Sequence, residues 1–319
     1  MLRMLIRRLA LGALTVFLVS VIIFAGVEML PGDACTAYLE REAQGQRLEN
    51  CRRDFGLDQP AHERYLDWAS GAVRGDFGTN VTGTREIADL VGDRLKNSLM
   101  LGGLSMLAGV PLALMLGVVA GLTRDRLPDL TISTLAIFAM TIPEFVTATV
   151  LILVFSIWLN WVPGIVLTGA SAPASDYFPE ILLPMAVFTL VMCAHILRTV
   201  RSSVIEVMGS DYVQMATLKG VPYGQVVRRH VLPNALLPVI NVVALTVAWL
   251  LGGVVVIETV FNFPGLGRLM VESIAMRDLP TVQAIALIVA MIYVSVNLTA
   301  DILTMLANPR LRTLHTRAS

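Results

Sequence analysis

The sequence predicts an all-α polytopic membrane protein with six transmembrane helices and both termini in the cytoplasm. Three observations carry that prediction. Of the 319 residues, 55% are apolar and only 15% are charged, well short of the roughly 25% charge of soluble domains. Six stretches are apolar and long enough to cross a hydrocarbon core about 30 Å thick, which takes ~20 residues of helix. The arginines and lysines in the short flanks of those stretches fall on one side, and the positive-inside rule makes that side cytoplasmic.

The first span, Leu9–Leu30, follows Arg3, Arg7 and Arg8. Its apolar run exceeds the ~7–15 residues of a signal peptide, and no small-residue cleavage site is clear. Residues 1–30 therefore read as a retained anchor helix. Residues 31–97 hold 21 of the 48 charged residues and read as a long periplasmic loop region. Its cations do not weigh on orientation, because long loops translocate largely regardless of charge. Cys35 and Cys51 both lie in this loop, where an oxidising compartment allows a disulfide. Two unpaired thiols are the alternative, and Cys193 reads as a buried helical residue.

Residues 98–319 form the core transmembrane domain, with spans at Leu99–Leu122, Leu130–Trp158, Ile181–Leu197, Leu236–Phe261 and Val282–Leu306. Pro143 and Glu144 interrupt the third, and the fourth is near the short limit. With the N-terminus inside, the inner flanks carry 13 basic residues against 2 in the short outer segments.

Zero net charge gives no sign of a nucleic-acid partner. Lys96 and Lys219 are the only lysines, and neither sits in a G-x-x-x-x-G-K-S/T loop, so any ATP must be handled by another subunit. Enzyme signatures are also missing. His62-Glu63-Arg64-Tyr65-Leu66 lacks the second histidine of H-E-x-x-H, no G-x-S-x-G occurs, and the four histidines do not cluster as metal ligands. Neither a catalytic residue, a metal site nor a cofactor is expected in this chain.

The longest inner connection, about 198–233, carries helix signals. Asp211 is placed to cap a helix over Tyr212, Val213, Gln214, Met215, Ala216, Thr217, Leu218 and Lys219, Gly220 to end it in a left-handed turn, and Pro222 to open a second short helix. Met215 and Leu218, with Ala216 beside them, give that helix an apolar stripe outside the membrane. Such a stripe either packs on its own protein or docks into a partner's groove.

Gln214-Met215-Ala216-x-x-x-Gly220, followed after nine residues by His230-Val231-Leu232-Pro233, resembles the E-A-A-x-x-x-G-x9-I-x-L-P loop of ABC importer permeases. Gln214, Met215 and His230 depart from its letters. Further segments resemble the dipeptide, oligopeptide and nickel group of those permeases: Leu30-Pro31-Gly32-Asp33, Gly56-Leu57-Asp58-Gln59-Pro60, Arg74-Gly75-Asp76-Phe77-Gly78, Ile257-Glu258-Thr259-Val260-Phe261, Pro264-Gly265-Leu266-Gly267-Arg268 and Asn308-Pro309-Arg310-Leu311-Arg312. The long first outer loop resembles that of the "B" subunit of the permease pair.

The resemblance implies a type I ABC importer permease fold in the bacterial inner membrane and half of a translocation pathway. It implies as partners a second permease subunit, two ATPase subunits that hold ATP and Mg, and a periplasmic substrate-binding protein. Residues Asp211 to Gly220, with Pro222, would couple the ATPase to the membrane helices. Peptides are the first substrate class implied, with glutathione, nickel chelates, opines and oligosaccharides beside them.

Charges inside spans are expensive and face a partner or an aqueous cavity. Glu144 and Glu258 are the pathway candidates on that ground, Glu144 toward cationic or amine-bearing cargo or else as a helix cap or interhelical hydrogen-bond partner, and Glu258 with a gating or structural part. Asp301 calls for a cation such as Arg198 or Arg201. An ion-coupled secondary transporter also uses midplane acids and broken helices, and is the competing reading. It leaves the spaced inner loop unexplained.

Overall fold

The computed structural model describes residues 2–30, 32–39 and 43–307, all helices and connections but for one isolated bridge between Thr79 and Glu86. Pro31 and everything from Asn308 onward, including the last motif and three inner arginines, lie outside the described residues, as does the side chain of Asp301.

Helix α1 (Leu2–Glu28) lies against α14 (Leu279–Ala307), where Gly12 brings the backbone so close that a Cβ would meet Val294 at 3.1 Å. The outer region then folds back on α1. Helices α2 (Ala34–Leu39) and α3 (Gly45–Asp54) are joined by a Cys35–Cys51 disulfide with Cα atoms 5.8 Å apart. Beside it, the Arg52 guanidinium donates to Asp33 at 2.7 Å, and the Thr36 N–H donates to the same carboxylate. Burial pushes Asp33 up, but the Thr36 and Arg52 donors outweigh it and hold the carboxyl below its usual range. Helix α4 (Ala61–Arg74) rests Tyr65 and Trp68 on Phe24 of α1, with centroids at 5.4 and 6.1 Å, and Arg64 pairs with Glu28.

Helix α5 (Ile87–Leu122) is 36 residues long and starts well before the expected second span, so it runs through the expected boundary at residue 97. It packs along α8 (Leu182–Met208), the most buried of the candidate spans. Gly109, Gly117 and Gly121 make this contact: a Cβ on Gly117 would lie 2.6 Å from the Val200 Cβ and 2.9 Å from the Leu197 carbonyl oxygen. In a bilayer, where lipid is as apolar as leucine, close backbone approach through small residues is a main source of helix attachment. Helix α8 also extends eleven residues inward of the expected fourth span, which explains why that span looked short.

The third expected span is two helices. Helix α6 (Leu127–Thr141) and helix α7 (Glu144–Leu151), which continues as a π-helical segment to Trp158, are bent by 105°. Pro143 is the cause. It lacks an N–H and forces Ile142 into extended backbone, at φ −77° and ψ 126°.

After α8 come α9 (Asp211–Leu218), α10 (Tyr223–Val226), a π-helical stretch Val227–Val231 and α11 (Leu232–Ala235). Helix α12 (Leu237–Val260) stands where the fifth span was expected, and α13 (Leu266–Ala275) fills the outer turn before α14. Among the described residues, four helices are long and apolar enough to cross a membrane, and the bent α6–α7 pair makes a fifth candidate.

Candidate functional site

Two features stand out: a short exposed helix just past the C-terminal end of α8 and a polar wall at the α6–α7 bend. Helix α9 is held at both ends by its own backbone. Ser210, not Asp211, is the N-cap residue; its carbonyl accepts from Val213 and Gln214, while its hydroxyl donates back to Val207. Asp211 instead occupies the first turn, where a carboxylate complements the helix dipole. At the other end the Gly220 N–H donates to Thr217 and the Val221 N–H to Ala216, the paired bonds of a Schellman turn. Gly220 has φ +77° with open space where a Cβ would be, so its requirement is conformational. Pro222 serves as the N-cap of α10, one position before the helix proper.

One face of α9 buries Val213 and Ala216 against the body of the protein. The opposite face presents Tyr212, Met215 and Leu218, 46%, 57% and 83% exposed, with Tyr223 beyond them. Ala216 therefore leaves the expected outward stripe and Tyr212 joins it, because positions 213 and 216 share a face three residues apart. Gln214 and Lys219 are also on the exposed surface.

The α6–α7 bend opens a cavity of about 480 Å3 lined by Glu144, His195, Met140 and Val191. It adjoins a second of about 500 Å3 that shares Met140 and His195 and adds Arg198, Thr199, Ser202 and Thr246. Glu144 sits in the first turn of α7, and no hydrogen bond or ion pair engages its carboxylate among the described residues. Arg201, one turn from Arg198, is taken by α6 instead: its guanidinium grips the Asp129 carboxylate with two nitrogens, the Nη2 contact at 2.7 Å. Asp129 is 1% exposed and also accepts from Ser133 and the Asp125 N–H. The expected cation for Asp301 is thus committed elsewhere, at least at Arg201.

Glu258 is placed differently from Glu144. It is fully buried, accepts from the Ser98 hydroxyl and from the Arg268 N–H at 3.0 Å, and leaves Gly265 no room for a side chain. Ser98 in turn accepts from the Leu266 N–H. One carboxylate and one hydroxyl thereby satisfy the first turn of α13 from α12 and α5, work normally done by an N-cap side chain. Beside them the Asn97 amide donates to the carbonyls of Ala170 and Pro264 and to the Tyr177 hydroxyl, closing the outer loops over the core. Burial pushes the Tyr177 phenol above its usual range.

Sequence similarity identifies the kind of protein that carries these two features. The family described as "Binding-protein-dependent transport system inner membrane component" matches residues 113–313, and the N-terminal membrane component of the same systems matches residues 1–91. The chain belongs to this family of ABC importer permeases. The permease is 37% identical over 313 residues to the glutathione transport system permease protein GsiC of Escherichia coli strain K12, covering 98% of this chain and 99% of that protein. Its GsiC counterpart in Shigella dysenteriae serotype 1 gives the same figures. Among solved structures the permease resembles the MetNI methionine ABC transporter in inward-facing form, at TM-score 0.54 and 17% identity over 69% of this chain and 96% of that one. An amino acid ABC transporter follows at TM-score 0.51 and 18% identity, over 70% and 94%. The permease is a multi-pass protein of the bacterial inner membrane, and its family works with a substrate-binding protein and ATPase subunits. This membership disfavours the ion-coupled reading.

The sequence analysis missed His195, Arg198 and Thr199 as cavity residues and Ser98, Asn97 and Asp129 as organisers. Arg198 carried a signal in being an arginine at the foot of a span. His195 carried the weaker one of a lone histidine within it.

Proposed function

We infer that this chain forms half of the translocation pathway of an ATP-driven importer of peptides or glutathione-like solutes. It spans the membrane six times with both termini inside and pairs with a second permease subunit. Two ATPase subunits holding ATP and Mg2+ dock from the cytoplasm, and a periplasmic binding protein delivers the solute to the outer region, residues 31–97, on a surface rich in both charges. Residues 1–30 anchor that region, and 98–319 form the transport core. The peptide substrate rests on the GsiC relatives and stands as the working assignment.

The observation that carries this reading is the α9 face of Tyr212, Met215 and Leu218: three apolar side chains held outward on a short helix fixed at both ends. Isolated in water, such a patch invites a partner groove. A rigid helix transmits displacement from a closing ATPase pair to α8, where a flexible loop would absorb it. The test is reconstitution of the whole complex with Met215→Asp/Leu218→Asp. Uptake falls at least about tenfold while the variant permease still inserts, and ATPase subunits no longer co-purify with it. Normal uptake with retained ATPase subunits would falsify the assignment. Uptake that survives ATP depletion and collapses with an uncoupler would return the ion-coupled reading.

A further inference from the structure

We propose that the joined cavities at the α6–α7 bend form a binding site for the two ends of a zwitterionic solute, with Glu144 taking its ammonium group and Arg198 its carboxylate. The site deepens the importer reading above and rests on it.

The argument is one of placement. Glu144 and His195 line one cavity, and His195, Arg198 and Thr199 line the next, so the acid and the bases share a continuous wall. Arg198 lies three residues past His195 on α8, about 4.5 Å farther along the axis at 1.5 Å per residue. The base therefore lies one helical turn beyond the residue that the two cavities share. Neither charge is committed to another side chain among the described residues. No hydrogen bond or ion pair engages Glu144, and no carboxylate pairs with Arg198, among the described residues. Arg201, one turn along, is already committed to the Asp129 carboxylate. A charged side chain in a membrane protein that faces a cavity without a partner marks a solute path. An arginine guanidinium suits a carboxylate through paired N–H donors. Thr199, Ser202 and Thr246 complete the wall with hydroxyls able to bond to peptide groups.

The experiment uses the full complex in proteoliposomes, with glutathione and dialanine as probes, each free and with its carboxyl groups amidated or its amino group acetylated. Wild type and variants share one binding protein, so a change in the ratio of free to capped uptake arises in the permease. Arg198→Gln should lower the preference for the free carboxylate at least about tenfold and leave the preference for the free amine unchanged. Glu144→Gln should do the reverse, and Arg198→Lys should recover most of the first preference. Unchanged ratios in both glutamine variants overturn the site. So does an assembled Arg198→Gln complex that loses free and amidated forms equally. If Arg198→Gln does not assemble, Arg198→Lys and Glu144→Gln decide, and wild-type ratios in Glu144→Gln overturn the proposal. A wild-type complex that imports neither probe with ATP removes the peptide-or-glutathione substrate reading on which the site rests, which separates the two failures.

Discussion

Arg201 on α8 lies across the carboxylate of Asp129 on α6, two nitrogens against two oxygens, at the point where the bent pair begins. The acid is 1% exposed and its remaining bonds come from Ser133 and the Asp125 N–H. Removing the Asp129 charge leaves the partly buried Arg201 guanidinium without its partner and weakens the tie between α6 and α8. Asp129→Asn should therefore lower the thermal midpoint of the purified permease clearly, and Asp129→Asn/Arg201→Gln should recover part of the loss. Fluorescence-detected gel filtration after heating reads both. Equal stability of Asp129→Asn and wild type would show that the pair does not hold α6 to α8.

Gly117 makes a second, purely steric prediction. A Cβ there would fall 2.6 Å from Val200 and 2.9 Å from the Leu197 carbonyl oxygen, so Gly117→Val must separate α5 from α8. Overpacking of this kind costs about 1–3 kcal/mol. Pairing it with Val200→Ala should return more than half of the lost stability, a coupling that a double-mutant cycle isolates. Additive effects would mean that the helices already have slack at this crossing.

Gly220 is constrained by its backbone alone. At φ +77° a β-branched residue costs about 1–2 kcal/mol, enough to undo the turn that ends α9. Gly220→Val is expected to leave the complex assembled and hydrolysing ATP while uptake drops several-fold. A variant that keeps both substrate-stimulated ATPase activity and uptake would remove the turn from the coupling path.

Acid should loosen the outer clamp. The Asp33 carboxyl is held below its unfolded value, so the stability it contributes is present above that value and is lost as pH falls through the lower, folded one. Hydrogen exchange of α2 and α3 should rise selectively in that acid window, and Asp33→Asn should abolish the pH dependence. A pH response that persists in Asp33→Asn would assign it to another group.

Four of the expected spans and the bent third were legible because lipid imposes long apolar runs, and α9 because Gly220 punctuates it. Where reasoning from sequence fell short, polar residues masked helical continuity. Asp89, Asp93 and Arg94 read as loop although α5 already runs through them, and Arg198 and Arg201 ended a span that α8 continues for two more turns and beyond. Hydropathy reports where lipid stops, not where a helix does. Long-range pairings were invisible for a different reason. The bond from Ser98 to Glu258 joins residues 160 positions apart, and that from Arg201 to Asp129 joins residues 72 apart. No local pattern encodes either. On α9 the error was smaller: Ala216 turned inward because the buried face is set by Val213, one turn earlier.

The corner at Pro143 has a cellular consequence. Its two arms run Leu127–Thr141 and Glu144–Trp158, about 22 Å each at 1.5 Å per residue, and neither alone crosses a hydrocarbon core about 30 Å thick. The carbonyls freed at the corner and the Glu144 carboxylate must then find water or a neighbouring chain inside the bilayer. In the proposed permease pair, a copy made without its companion would expose that wet notch to lipid, so the supply of the companion should govern how long each copy survives. A pulse-chase of the chain expressed by itself should show rapid clearance, and co-expression of the second permease should lengthen its life.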